Sequence, residues 1–173
     1  MELAASISSS KKLNEIYIYK DTFTDKSLAA LAKYLSNPSC GLKVLSLVKC
    51  NLNDESMKAF SENLHLSSRS KLVKLIVEEN FLSAKGMAYL ANALNTIKSK
   101  VTSLYFYKNK LTNKSAKSLG NLLTKNPSIQ VLDITDNNLT KVGTNVLRKK
   151  IENKRNFKFG IETKNSALED ILQ

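Results

Sequence analysis

Residues able to do covalent or acid–base chemistry are few and scattered in this 173-residue chain. Its one histidine, His65, has no second imidazole with which to build a metal site or a nucleophile–base pair. Glu78 and Glu79 are adjacent, and on an extended chain adjacent side chains point to opposite faces, so the two carboxylates do not converge on a substrate. Gly41, Gly86, Gly120, Gly143 and Gly160 are dispersed and form no phosphate-cradling loop. No enzyme activity, metal or cofactor is therefore expected. The chemistry that remains is recognition. Four of the six tyrosines, Tyr17, Tyr19, Tyr105 and Tyr107, fall at equivalent points of an internal repeat. Tyrosine offers a large amphipathic contact at modest entropic cost, which suits a binding surface.

The elements that position these tyrosines follow from a phrase of the form L-x-x-L-x-L-x-x-N-x-L. Leu13, Ile16, Ile18, Asp21 and Phe23 make its first copy, and Leu42, Leu45, Leu47, Cys50 and Leu52 the second. Leu72, Leu75, Val77, Asn80 and Leu82 follow, then Val101, Leu104, Phe106, Asn109 and Leu111, then Ile129, Leu132, Ile134, Asn137 and Leu139. A degraded sixth copy passes through Phe157 and Phe159. First residues are separated by 29, 30, 29 and 28 positions. Such a period marks a solenoid, because one unit cannot bury its apolar face alone and must stack on a neighbour.

Within each unit the fourth and sixth places alternate with other residues, the two-residue period of a half-buried strand. A capping residue and a helical pattern come next: Thr24, Asn53, Ser83, Thr112 and Thr140 each precede an apolar series such as Leu28, Leu31 and Leu35. Each unit is thus predicted to run strand, loop, helix, return loop. The ninth-place row, Asp21, Cys50, Asn80, Asn109 and Asn137, sits where the chain leaves the strand. Small polar side chains there satisfy turn backbone, so the row reads as structural.

This phrase resembles the leucine-rich repeat, and a unit near 28 residues with a full helix is similar to the ribonuclease-inhibitor subtype, also found in nucleotide-sensing immune receptors. The resemblance spans residues 13–160. It implies an α/β horseshoe solenoid with a parallel β-sheet on the concave face and α-helices on the convex face. It also implies a binding protein rather than a catalyst. Residues 1–12 are expected to form an N-terminal cap or leading half-repeat. Residues 161–173 are expected to cap the far end through Ala167, Leu168, Ile171 and Leu172. Abundant lysine and asparagine are similar in style to leucine-rich-repeat effectors of intracellular bacteria.

Side chains at the third, fifth and seventh places should face away from the core, toward the concave side. The fifth-place column is Tyr17, Ser46, Ile76, Tyr105 and Asp133, and the seventh is Tyr19, Val48, Glu78, Tyr107 and Thr135. With strands about 4.8 Å apart, the tyrosine pairs stand roughly 15 Å from each other. They are expected to be two aromatic rails of a shallow apolar trough floored by Ser46, Val48, Ile76 and Glu78. Lys20, Lys49, Glu79, Lys108 and Asp136 at the eighth place, with Phe81, form its rim. The partner-binding residues expected from this pattern are Tyr17, Tyr19, Lys20, Val48, Lys49, Ile76, Glu78, Glu79, Phe81, Tyr105, Tyr107, Lys108, Asp133 and Thr135.

A net charge of +12 raises nucleic acid or an anionic surface as an alternative partner. Its location argues otherwise, since the concave and rim places hold five acids against four lysines. The excess falls on helices and return loops and is densest at Arg148-Lys149-Lys150 and Lys154-Arg155. The first expectation is a globular protein partner held in the concave face, with its active site occluded as by the resembled inhibitor. A ligand-sensing part of a larger receptor is the third reading. Two cysteines are too few for a disulfide framework, which points to reduced thiols and a cytoplasmic setting, the host cytosol if the protein is an effector. No run approaches about 18 uncharged apolar residues, so no membrane span is expected. The unbound chain is expected to be a monomer.

Overall fold

The computed structural model describes residues 13–66, 68–95 and 100–160, and both expected caps, 1–12 and 161–173, lie outside the described residues. Strands and helices alternate throughout: β1 (Glu15–Tyr19), α1 (Asp25–Ser36), β2 (Val44–Val48), α2 (Asp54–Glu62), β3 (Lys74–Ile76), α3 (Ala84–Asn95), β4 (Ser103–Tyr105), α4 (Ser115–Lys125), β5 (Val131–Asp133), α5 (Lys141–Ile151) and β6 (Lys158–Gly160). The six strands form one parallel sheet in chain order. The degraded sixth copy is a real strand, with Phe159 opposite Leu132.

Parallel neighbours need a crossover, and each helix supplies one on the same side of the sheet. Fourth- and sixth-place residues such as Leu45, Leu47, Leu75, Val77, Leu104 and Phe106 point into that layer and join Leu28, Phe60, Met87, Leu90, Leu119 and Leu147 in one continuous core. Each such side chain contributes on the order of 1.5–3 kcal/mol when fully buried. The strand period and the helix period therefore meet at a common apolar interface, as the spacing predicts.

The ninth-place row is a hydrogen-bonded ladder between units. Asn80 Oδ1 accepts from the backbone N–H of Cys50 at 3.0 Å and of Leu52 at 3.1 Å, while its amide donates to the carbonyls of Leu47 and Glu78, both at 2.8 Å. Asn109 likewise accepts from Leu82 N–H at 3.0 Å and donates to Val77 at 2.8 Å, and Asn137 accepts from Leu111 N–H at 2.9 Å. Cys50, in the same row, instead donates its thiol to the carbonyls of Ile18 and Val48.

Helix starts are tied between units as well. Thr24 forms a capping box with Ser27, and Asn53 and Thr140 cap their helices. For α3 the acceptor is borrowed from the preceding unit, because Asp54 Oδ1 takes the N–H groups of Ser83 and Gly86 at 2.8 and 2.9 Å. Thr112 departs from the expected pattern. It forms a bridge with Asn138 and its N–H is taken by Ser115 Oγ at 3.1 Å, so α4 begins after Lys114, which makes no side-chain cap.

Candidate interaction surface

Register places the fifth-place side chains in one row across the sheet: Tyr17 beside Ser46, then Ile76, Tyr105, Asp133 and Gly160. Tyr19 pairs with Val48 in the neighbouring row. All the helices lie against the opposite face, so both rows stand on the helix-free side.

The residues between the two tyrosine pairs are buried. Val48 and Ile76 are 1% and 0% exposed, Glu78 is 0% exposed, and Asp133 and Thr135 are also buried. Val44, Val48 and Ile76 pack together with the half-buried Tyr105 as an apolar cluster separate from the main core. Ser46, Val48, Ile76 and Glu78, the residues expected to floor the trough, are therefore packed side chains, and Asp133 and Thr135 in the same two rows are buried with them. Tyr107 is half-buried. Burial raises its phenol above the ordinary value, and the Asp136 carboxylate adds to the shift.

What remains open is the first strand and the rim. Tyr17 is 44% exposed, Tyr19 50% and Phe81 47%. Tyr17 donates its hydroxyl to Glu15 at 2.8 Å, which fixes the ring, and partial burial followed by Glu15 raises its pKa. Lys20 and Lys49 place their ammonium groups 5.1 and 5.3 Å from the Tyr19 ring centroid. Lys110 lies 4.7 Å over Phe81, and Lys74 5.6 Å over Tyr105. A cation over an aromatic face is attracted by the ring quadrupole, so each ring offers a mixed aromatic and cationic surface.

Eighth-place residues share one backbone conformation. Lys20, Lys49, Glu79, Lys108 and Asp136 have φ of 55°, 55°, 50°, 53° and 52°, the left-handed region. This conformation costs a non-glycine residue about 1 kcal/mol or more, so the same strain is accepted in every unit. It turns the chain inward for the asparagine ladder and leaves a row of charges along the sheet edge. Lys49 Nζ lies 3.2 Å from Glu79 Oε1, and Lys108 Nζ 3.0 Å from Glu79 Oε2. Burial alone would raise the Glu79 pKa, but Lys108 and Lys49 outweigh it and hold the carboxyl below its ordinary value.

The remaining polar candidates lie elsewhere. His65 lines a convex-side groove of about 290 Å³ with Glu62, Tyr89 and Asn92, where α2, nine residues long, stops short of the twelve-residue α3. Within the basic cluster, Lys154 Nζ donates to the carbonyls of Asn126 and Ile129 at 3.2 and 3.0 Å, and burial lowers its pKa. Arg148 stacks 5.9 Å from Phe159, whereas Lys149, Lys150 and Arg155 are exposed. Among the described residues no group of three His, Cys, Asp or Glu side chains could hold a metal ion, and no helix is long and apolar enough to cross a membrane.

A six-stranded parallel sheet with a helix between each pair of successive strands, an asparagine ladder and one helix-free face define a leucine-rich-repeat solenoid of the α/β class. Residues 39–61 and 125–143 match the model of the family described as Leucine Rich repeat. No curated protein matches the chain. Among solved structures, the leiomodin-1 actin-binding site 2 is similar in fold, with a TM-score of 0.65 at 17% identity, covering 89% of this chain and 90% of that one. An internalin from Listeria monocytogenes str. 4b F2365 has a TM-score of 0.51 at 18% identity. That alignment covers 92% of this chain but only 37% of the internalin.

Proposed function

We propose that this protein is a non-catalytic interaction module that holds a globular protein at the first-strand end of its concave face. Tyr17, Tyr19 and Phe81 are the anchors, and Lys20, Lys49, Lys108 and Lys110 are the charged surround. The observation that carries this reading is the contrast along one face: the first-strand tyrosines are half exposed while their neighbours in the same rows are buried. Large exposed aromatics rimmed by charge are the usual anatomy of an interface.

Lysines over Tyr19, Phe81 and Tyr105 favour a partner that brings apolar surface flanked by carboxylates, and they keep the unbound chain monomeric by surrounding its aromatics with charge. Cys40 and Cys50 are free and buried, which suits a reducing cytosol. Occlusion of a partner's own active site is the mode that a rigid concave scaffold serves best. Leiomodin-1 supplies an actin-binding site on this fold, so monomeric actin is the first defined probe. The test is capture by the intact chain set against Tyr17→Ala/Tyr19→Ala. The double variant should lose the partner by at least about tenfold in Kd without losing its fold.

A further inference from the structure

We propose that the rim between Lys20 and Lys49 is a subsite for one carboxylate, the Asp or Glu side chain of the protein held at Tyr17 and Tyr19. The inference rests on the interaction surface proposed above and names the group which that surface reads. The observation is an interrupted alternation of charge. Eighth-place residues stand side by side along the sheet edge, because each backbone N–H bonds to the seventh-place carbonyl of the next unit. Lys20 bonds to Val48 at 3.0 Å, Lys49 to Glu78 at 3.1 Å, Glu79 to Tyr107 at 2.8 Å and Lys108 to Thr135 at 2.9 Å. From Lys49 onward the row alternates cation and anion through Glu79, Lys108 and Asp136. Lys20 and Lys49, by contrast, are two cations on strands about 4.8 Å apart, and like charges in such positions repel.

Glu79 shows how a carboxylate sits in this row. One oxygen takes Lys49 Nζ at 3.2 Å and the other Lys108 Nζ at 3.0 Å, so a single side chain bridges two neighbouring lysines. The interval before Lys49 has the two lysines and lacks the acid. Among the described residues no carboxylate pairs with Lys20. The two acids closest to it in sequence have other bonds: Glu15 takes the Tyr17 hydroxyl at 2.8 Å, and Asp21 takes Thr22 N–H at 2.7 Å.

Tyr19 adds a third donor to this interval. An ammonium group only donates, so the 3.2 Å bond from Lys49 falls on a phenol lone pair and leaves the Tyr19 O–H hydrogen for another acceptor. Lys20 and Lys49 lie 5.1 and 5.3 Å from the ring centroid, so both cations flank the same phenol. The Lys49 hydrogen bond is the foremost cause of its lowered pKa, and a more acidic O–H donates more strongly to an anion. Phe81 with Lys110 and Tyr105 with Lys74 bring one cation each and do not reproduce this arrangement. The exposed rings of Tyr17 and Tyr19 suit an apolar neighbour of the bound acid.

The test is a titration of the full-length chain, isotope-labelled at tyrosine Cζ, with the peptide acetyl-Leu-Glu-Leu-amide; Tyr19→Phe assigns the signal. At millimolar peptide the Tyr19 resonance should shift and its phenol pKa should rise, because a bound carboxylate disfavours phenolate. The neutral counterpart, acetyl-Leu-Gln-Leu-amide, should leave both unchanged. Lys20→Gln should weaken binding of the glutamate peptide about three- to fivefold in Kd, the share of one exposed charge pair. Lys20→Glu is the structural control, since Glu79 already holds a glutamate at φ 50° in the same row, close to the 55° of Lys20. It should abolish the peptide response while the unfolding midpoint stays at or above the parent's, because it completes the alternation. Equal responses to the two peptides, no response to either, full affinity in Lys20→Gln, or a lowered midpoint in Lys20→Glu would overturn the proposal. Inorganic phosphate binding more tightly than the glutamate peptide would overturn it in favour of a phosphate group. The titration needs no natural partner, so its failure removes the carboxylate and leaves the proposed role of Tyr17 and Tyr19 standing.

Discussion

Lys49 Nζ donates to the hydroxyl of Tyr19 across 3.2 Å, joining the most exposed tyrosine of the first strand to the charged edge of the second. The same ammonium reaches Glu79, so one lysine couples the aromatic anchor to the rim. That hydrogen bond, ahead of the nearby positive charges, lowers the Tyr19 pKa and, with Glu79, raises that of Lys49. One ammonium thus ties the Tyr19 hydroxyl to the Glu79 carboxylate.

Glu79 sits at the centre of this edge, and its pH dependence has a definite sign. A carboxyl held below its ordinary value near 4.5 binds fewer protons folded than unfolded, so its stabilisation is full above that value and is lost as pH falls through the lowered one. Lys49 and Lys108 are raised above 10.5, so their share is full below that value and is lost as pH climbs past it. Glu79→Gln should therefore lower stability at neutral pH and flatten its decline in acid. Urea midpoints measured from about pH 3 to about pH 7 check this, since parent and variant should converge at the acid end.

Removing a rung of the asparagine ladder should cost far more than removing a surface contact. Asn80→Ala leaves the N–H groups of Cys50 and Leu52 and the Leu47 carbonyl without their buried partner, at about 2–4 kcal/mol in all. Asp21, exposed in the first unit, where its carboxylate accepts from Thr22 N–H, should tolerate alanine within about 0.5 kcal/mol. Chemical denaturation of the two variants reads the difference directly.

Two glycines on equivalent helices should respond oppositely to alanine. A Cβ at Gly86 would stand 2.5 Å from Asp54 Oδ1 and 3.2 Å from its Cα, displacing the acceptor that caps α3. Gly86→Ala should destabilise by about 1–3 kcal/mol despite alanine's better helix propensity. At Gly120 the nearest neighbour is Lys150 Cγ at 3.3 Å, which can move aside, so Gly120→Ala should be neutral or stabilise by up to about 1 kcal/mol. Thermal melts of the pair give the two signs.

The concave face should divide into a structural half and a recognition half. Ile76→Ala is expected to destabilise by about 2–4 kcal/mol, because it hollows the Val44–Val48–Ile76 cluster. Tyr17→Ala, at a side chain 44% exposed, should leave the unfolding midpoint nearly unchanged. Paired denaturation curves decide the point.

The solenoid was legible because every unit repeats one apolar phrase, and both its strand and helix periods point at the same core. Even the weak copy at Phe157 and Phe159 yielded a strand, since Phe159 still fills the inward place opposite Leu132. Thr112 was not legible as an exception. Nothing in its type shows that Asn138 would claim it for a bridge. The left-handed eighth place was hidden for a related reason: Lys20, Lys49, Glu79, Lys108 and Asp136 carry none of the glycine signal that usually marks positive φ. Burial of Val48, Ile76 and Glu78 was invisible too, because a two-residue period says which face a side chain takes and not how closely its neighbours pack around it there.

The most direct measurement is quantitative affinity capture with three full-length chains: the parent, Tyr17→Ala/Tyr19→Ala, and Lys149→Glu/Lys150→Glu on the convex side. The expected result is a protein retained by the parent and by the convex variant and lost, by at least about tenfold, from the tyrosine variant. Loss from the lysine variant with full retention by the tyrosine variant would contradict the account and move the binding surface to the convex face.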